Sequence, residues 1–279
     1  MDPDPALTHL YSCSRWAGID PAEVINEYIR IGEKTCEELR LITHIEDLTY
    51  EDNDGMGNNT SNMVDVWGEV KEHLVIFLHG GYWQEGSRKL VSPVAVNLIK
   101  NGIAMASVGY EFASNTRPLS TVARQVEKAV EFLLMKYPSV TYVTLAGHSA
   151  GAQLVFKAYT HLKSRRIQKL ALLAGVFDLQ ELPQCEIGTV IGLTREEAKL
   201  NSCSAFELVD TGVKVLLLIA IKDSPKLIEQ NKDMAKAMKK AGVSVQYHEI
   251  KECDHFSLIH GFLNNEAEQV RTLLSFLCS

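Results

Sequence analysis

Apolar positions along this chain fall into two rhythms. Runs that are mostly apolar, His73 to Leu78, Ile103 to Tyr110, Val140 to Ala146, Ile167 to Ala174 and Val213 to Ile221, read as strands buried on both faces. Between them lie stretches with helical spacing: Ser92 to Lys100 stopped by Asn101-Gly102, Leu119 to Tyr137 ended by Pro138, Ala152 to Leu162, and Lys226 to Ala241 ended by Gly242. Ser244 to Ile250 reads as the last strand, and Asn265 to Leu277 as a closing helix. This alternation predicts a mainly parallel, doubly wound sheet with helices on both faces, and such sheets place their active sites at the carboxyl ends of strands.

Two regions depart from that rhythm. Ahead of it, Pro21 opens a helical pattern through Val24, Tyr28 and Ile31 that Gly32 is expected to stop, with a second stretch from Lys34 to Leu39. Leu41 to Tyr50 alternates like an edge strand, Asn53-Asp54-Gly55 is a turn signal, Gly57 to Asn62 is polar, and Met63 to Trp67 reads as a second strand, so an antiparallel hairpin is expected before the parallel sheet. Later, Pro183 to Leu208, with a helical core over Thr194 to Leu200, interrupts the strand–helix order. The region around 180–208 is read as an insertion that forms, with the N-terminal segment, a small cap over the site.

Composition narrows the class. With 279 residues, 46% of them hydrophobic, and no composition break or repeat, a single domain over 1–279 is expected. The formal charge of −7 comes without a basic cluster, which excludes a nucleic-acid partner. No apolar run approaches the roughly 18 residues a spanning helix needs, so no membrane partner is expected. The opening Met1-Asp2-Pro3-Asp4-Pro5 is acidic and lacks an apolar stretch, and the six cysteines show no C-x-x-C spacing; both point to reduced thiols in a cytoplasmic protein. The histidines and cysteines have no metal-ligand spacing, so no metal is expected.

The chemistry centres on Gly147-His148-Ser149-Ala150-Gly151, set between a buried strand and a helix. A serine flanked by glycines at two residues' distance fits a sharp strand-to-helix turn that projects its hydroxyl into solvent over the positive end of a helix. Such a hydroxyl needs an imidazole to take its proton and a carboxylate to orient that imidazole. Asp223 directly follows a strongly apolar strand and His255 follows the next one, giving the chain order Ser, acid, His. Asp178 is the rival acid and His260 the rival base, while Asp254 is expected to point away. His148 is read as packing or hydrogen-bonding locally. His79-Gly80-Gly81-Tyr82-Trp83 follows an early buried strand, with His79 as a brace. Gly81 and Tyr82, with Ala150, are the expected backbone donors to an oxyanion, each worth about 2.7–4 kcal/mol of barrier.

Taken together, His79 to Trp83, Gly147 to Gly151, Asp223-Ser224-Pro225 and Asp254-His255-Phe256 resemble the kynurenine formamidases, or arylformamidases, of the esterase/lipase group. Tyr11-Ser12-Cys13-Ser14-Arg15-Trp16 is similar to that family's Tyr-Ser-Pro-Ser-Arg-Trp, with Cys13 where proline is usual. The resemblance implies an α/β-hydrolase fold with a mainly parallel eight-stranded sheet. It also implies hydrolysis of N-formyl-L-kynurenine to L-kynurenine and formate in tryptophan breakdown, without a cofactor. Tyr82, Trp83, Trp16 and Phe256 are the candidate aromatic walls for the leaving group. A broad-specificity carboxylesterase and a non-catalytic binding protein on the same fold stand as the alternatives. For oligomeric state a homodimer is entertained, with no residue behind it.

Overall fold

A strand can be apolar throughout only if both sheet faces are covered, because successive side chains point to opposite sides. The computed structural model, which describes residues 2–51 and 61–279, shows this covering. Among the described residues eight strands form one sheet: β1 (His44–Thr49), β2 (Met63–Trp67), β3 (His73–Leu78), β4 (Ala104–Val108), β5 (Tyr142–His148), β6 (Ile167–Leu173), β7 (Lys214–Ala220) and β8 (Ser244–Ile250). Their order is β1-β2-β4-β3-β5-β6-β7-β8. β2 runs antiparallel to both β1 and β4, and from β4 to β8 every neighbouring pair is parallel. The carboxyl ends of β3, β5, β7 and β8 therefore share one edge of the sheet.

The helices are α1 (Pro5–Tyr11), α2 (Pro21–Leu39), α3 (Ser92–Lys100), α4 (Leu119–Lys136), α5 (Ala150–Leu162), α6 (Glu186–Val190), α7 (Arg195–Asn201), α8 (Pro225–Lys240), α9 (Ser257–His260) and α10 (Glu268–Cys278). α5 packs on β5 and α4, and α8 lies against β7 and β8. One contiguous apolar core extends from Tyr11 to Leu277. No helix among the described residues is long and apolar enough to cross a membrane.

Two expectations from local pattern fail. α2 runs unbroken through Gly32, which is a packing glycine: a Cβ there would stand 2.7 Å from Leu90 Cα. β1 begins at His44 rather than Leu41, whose side chain is exposed, and a register shift between Ile45 and Leu48 puts Asp47 at φ 58°. The turn expected at Asn53-Asp54-Gly55, and the loop from Gly57 to Thr60, lie outside the described residues.

The N-terminal segment is strapped to the region around 180–208. Asp4 N–H donates to the Gln184 carbonyl (2.7 Å), Glu186 N–H to Thr8 Oγ1 (3.0 Å), and the Tyr11 hydroxyl to Glu181 Oε2 (2.9 Å). The insertion's helical core forms as α7, with the Thr194 side chain accepting from Glu197 N–H at its start.

Candidate active site

The sharp turn after β5 is set by its glycines. A Cβ on Gly147 would meet the Gly151 carbonyl at 2.3 Å, and one on Gly151 would meet the Leu78 carbonyl at 2.3 Å, so the turn closes onto the end of β3 only with hydrogen at both places. Ser149 between them is held at φ 57°, ψ −122°, a conformation disfavoured for any side-chain-bearing residue, with its N–H tied to the Leu173 carbonyl at 2.8 Å. The sequence suggested a hydroxyl in open solvent. Instead Ser149 is buried, on the wall of a cavity of about 220 Å³ that His255, His79, Gly80, Gly81, Tyr82 and Phe256 also line.

Imidazole and carboxylate meet where β7 and β8 end. His255 Nδ1 lies 2.7 Å from Asp223 Oδ2, with both residues buried, and Asp223 Oδ1 accepts from Ser224 N–H at 2.6 Å. Because a carboxylate only accepts, Nδ1 carries the proton, and Nε2 is left free to take one. Among the described residues no hydrogen bond joins the Ser149 hydroxyl to the imidazole; the two share the cavity wall, and catalytic bonds of this kind often tighten only in the substrate complex. Burial alone would push His255 down. The Asp223 carboxylate and the nearby Cys13 sulfur outweigh it and hold His255 well above the ordinary 6.5.

Asp254 points away from the imidazole. Its Oδ1 accepts from Phe256 N–H (2.8 Å) and Ser257 N–H (2.9 Å), fixing the turn into α9 from which His255 projects. The rivals sit elsewhere: Asp178 is exposed and accepts from Gln180 N–H (3.0 Å), and the His260 ring stacks on Tyr28.

The loop after β3 passes against the serine, since a Cβ on Gly80 would come 2.8 Å from Ser149 Cβ. Gly81, Tyr82 and Trp83 follow at φ 104°, 46° and 60°, a left-handed path that turns successive amides to one side. Among the described residues neither Gly81 N–H nor Tyr82 N–H has an acceptor in the protein, and Ala150 opens the 13-residue α5. His79 braces this loop: Nδ1–H donates to the Gly80 carbonyl (2.7 Å) and the ring stacks on Tyr110 at 4.3 Å. Its burial pushes it down to about 4, so it stays neutral.

Two of the four candidate aromatic walls are placed otherwise. Trp83 is fully buried behind the loop, its indole N–H donating to Gln153 Oε1 at 3.0 Å, because the positive φ values at 82 and 83 turn its ring into the core. Trp16 donates to the His9 carbonyl and lines a separate groove with Lys222 and Pro225. Tyr82 and Phe256 do line the cavity. His148 does hydrogen-bond, but to a distant segment rather than locally: its Nε2–H donates to the His255 carbonyl at 3.0 Å, and the two rings are 4.4 Å apart. Burial and the neighbouring His255 keep it well below its ordinary value, hence neutral.

The sequence also gave no sign of where Cys13 would lie. The Tyr82 hydroxyl donates to the Tyr11 carbonyl (2.7 Å), which holds the N-terminal strap over the site, and Cys13 on that strap lines the cavity. The Tyr11-to-Trp16 stretch was the available signal, though its spacing could not show what it meets.

Residues 75–259 match the family model described as the alpha/beta hydrolase fold. The chain is 28% identical over 282 residues to the kynurenine formamidase of Danio rerio, covering 96% of this chain and 94% of that protein. It is 25% identical to the kynurenine formamidase of Salmo salar, covering 97% and 95%. Among solved structures, a candidate thioesterase from Silicibacter superposes with a TM-score of 0.77 at 20% identity, covering 96% of this chain and 98% of that one.

Proposed function

The chain belongs to the alpha/beta hydrolase family, and from that premise we propose that it is an arylformamidase that cleaves N-formyl-L-kynurenine to L-kynurenine and formate. The observation that carries this reading is the buried 2.7 Å contact between His255 and Asp223 at a cavity shared with Ser149 and the left-handed glycine loop. It is supported by the likeness to two curated formamidases along nearly the whole chain.

Ser149 Oγ attacks the formyl carbon as His255 Nε2 takes its proton, and Asp223 holds the resulting imidazolium. Negative charge on the carbonyl oxygen is met by the N–H groups of Gly81, Tyr82 and Ala150. As the C–N bond breaks, the imidazolium returns its proton to the arylamine, a far better leaving group than an alkyl amine. A water, deprotonated by the same imidazole, then releases formate from Ser149. The cavity is smaller than the roughly 300–1,000 Å³ usual for small-molecule sites, which suits an acyl group of one carbon and a single ring. Gln84 and Glu85 line the cavity, and Gln84 Oε1, buried without a partner among the described residues, offers an acceptor to the ammonium of an amino-acid tail. The same proposal has the enzyme act in the cytoplasm as one folded unit over 1–279, in keeping with cysteines scattered without framework spacing.

The test is Ser149→Ala assayed on N-formylkynurenine, beside wild-type turnover of short p-nitrophenyl esters. Activity should fall on the order of 10⁶-fold while the fold is kept. Near-wild-type activity in the variant removes the mechanism, and esters hydrolysed far more efficiently than the formamide remove the substrate.

A further inference from the structure

Cys13 is not used by the mechanism above, yet it reaches the centre of it. One ligand atom each from Cys13, Asp223 and His255 lie within 4.8 Å of one another, and all three residues are buried. They come from the N-terminal strap, the turn after β7 and the turn after β8, so no spacing rule could have found them. Apart from the His255 and Asp223 groups, the polar neighbours of Cys13 Sγ among the described residues are distant: the Tyr11 carbonyl at 3.6 Å and the hydroxyls of Tyr82 and Ser224 at 3.9 Å each. Cys13 and His255 also share the cavity wall, which gives a small ion a route to both.

We propose that Cys13, His255 and Asp223 form an inhibitory site for a thiophilic divalent cation of the Zn²⁺ and Cd²⁺ class. Thiolate, imidazole and carboxylate are all accepted zinc ligands, and three protein groups plus a water complete a tetrahedron. Ligands at zinc's usual bond lengths stand roughly 3.3–3.8 Å apart, so the cluster closes on an ion by small side-chain adjustments. Charge also balances: the thiol gives up one proton to solvent, and a thiolate and a carboxylate together neutralise the ion inside a buried pocket. With Asp223 as a ligand the ion takes His255 Nδ1, and the proton there moves to Nε2, so the imidazole can no longer accept the proton of Ser149 and hydrolysis stops. Inhibition rests on the proposed serine mechanism, whereas binding rests on the geometry alone.

The experiment titrates the purified protein with Cd²⁺, following the ultraviolet charge-transfer band of the Cd–thiolate bond, and separately measures inhibition by Zn²⁺. It uses wild type, Cys13→Ser, Cys13→Ala and, as a control, Cys278→Ser, whose cysteine is exposed near the C-terminus. Wild type and the control should show the band and inhibition. Both Cys13 variants should lose the high-affinity band and need more metal for inhibition, by more than the roughly 10–100-fold lost with a mere supporting group. Ser149→Ala should keep the band, which separates this site from the reaction: a band without turnover of any substrate upholds the metal site and sinks the proposed hydrolase. A wild type that titrates no thiolate band, or Cys13 variants that keep both band and sensitivity, overturn the proposal.

Discussion

Two carboxylates are buried completely at opposite sides of the sheet, and they are neutralised in different ways. Asp65 lies on β2, second from one edge. Its Oδ2 meets Arg88 Nε at 2.9 Å and Lys89 Nζ at 2.8 Å, and its Oδ1 accepts from Asp47 N–H at 3.0 Å. Asp223 follows β7, second from the other edge, and has one backbone N–H and one imidazole. Arginine and lysine keep their charge at any working pH, so Asp65 is settled for good and its network only holds β1, β2 and the segment before α3 together. The partner of Asp223 can gain or lose its proton. A lone buried anion beside a titratable ring makes that ring more basic, so the second arrangement suits the proton transfer proposed for it while the first does not.

Removing the charge from each carboxylate should give opposite failures. Asp223→Asn is expected to lower kcat about 10⁴-fold, because the imidazole loses its orienting acceptor, with little change in melting temperature. Asp65→Asn should leave the folded enzyme's kcat near wild type and cost about 1–3 kcal/mol of stability, since Arg88 and Lys89 lose their fully buried carboxylate and keep only Asp47 and Glu46. Chemical denaturation alongside steady-state kinetics on both variants checks the contrast. A stability loss in Asp223→Asn as large as that in Asp65→Asn, with activity retained, would erase the distinction.

The pH profile sharpens the same point. In the proposed mechanism the active form has a neutral His255, and Asp223 with Cys13, against the cost of burial, holds that imidazole above 6.5. On lowering pH, kcat/KM should fall with a midpoint above 6.5, and in Asp223→Asn the residual activity should show its midpoint shifted toward acid. A wild-type profile flat down to about pH 5 excludes His255 as the base.

The catalytic candidates were legible because each is a local signal at a strand end: a small-residue turn around Ser149, a polar break after β7 at Asp223, another after β8 at His255. Strand and helix types followed from periodicity for the same local reason. What could not be read depends on approach in space. Gly32 has the look of a helix stop, but it is a contact with Leu90. Trp83 carries the aromatic surface a substrate would want, yet two left-handed residues turn it inward. His148 and Cys13 acquire meaning only through His255, more than a hundred residues away along the chain. The insertion of β4 between β2 and β3 likewise leaves no trace in the order of apolar runs.

The smallest expected effect lies at the rim of the Asp65 network. Glu46 pairs with Arg40 and with Lys89, and hydrogen bonding from Arg40, aided by Lys89 against a modest burial penalty, holds its carboxyl down to about 2 from an ordinary 4.5. A carboxyl depressed by folding adds stability that is whole above 4.5 and drains as pH falls toward 2, because the unfolded chain takes up the proton first. Glu46→Gln removes that titration, so its stability should fall less steeply than wild type's across that acid window, and the two curves should converge at its lower end. Melting temperatures measured across the window decide it. Parallel curves would mean that the pairing around Glu46 contributes nothing to folding, and that Asp65 with its two cations carries this side of the sheet alone.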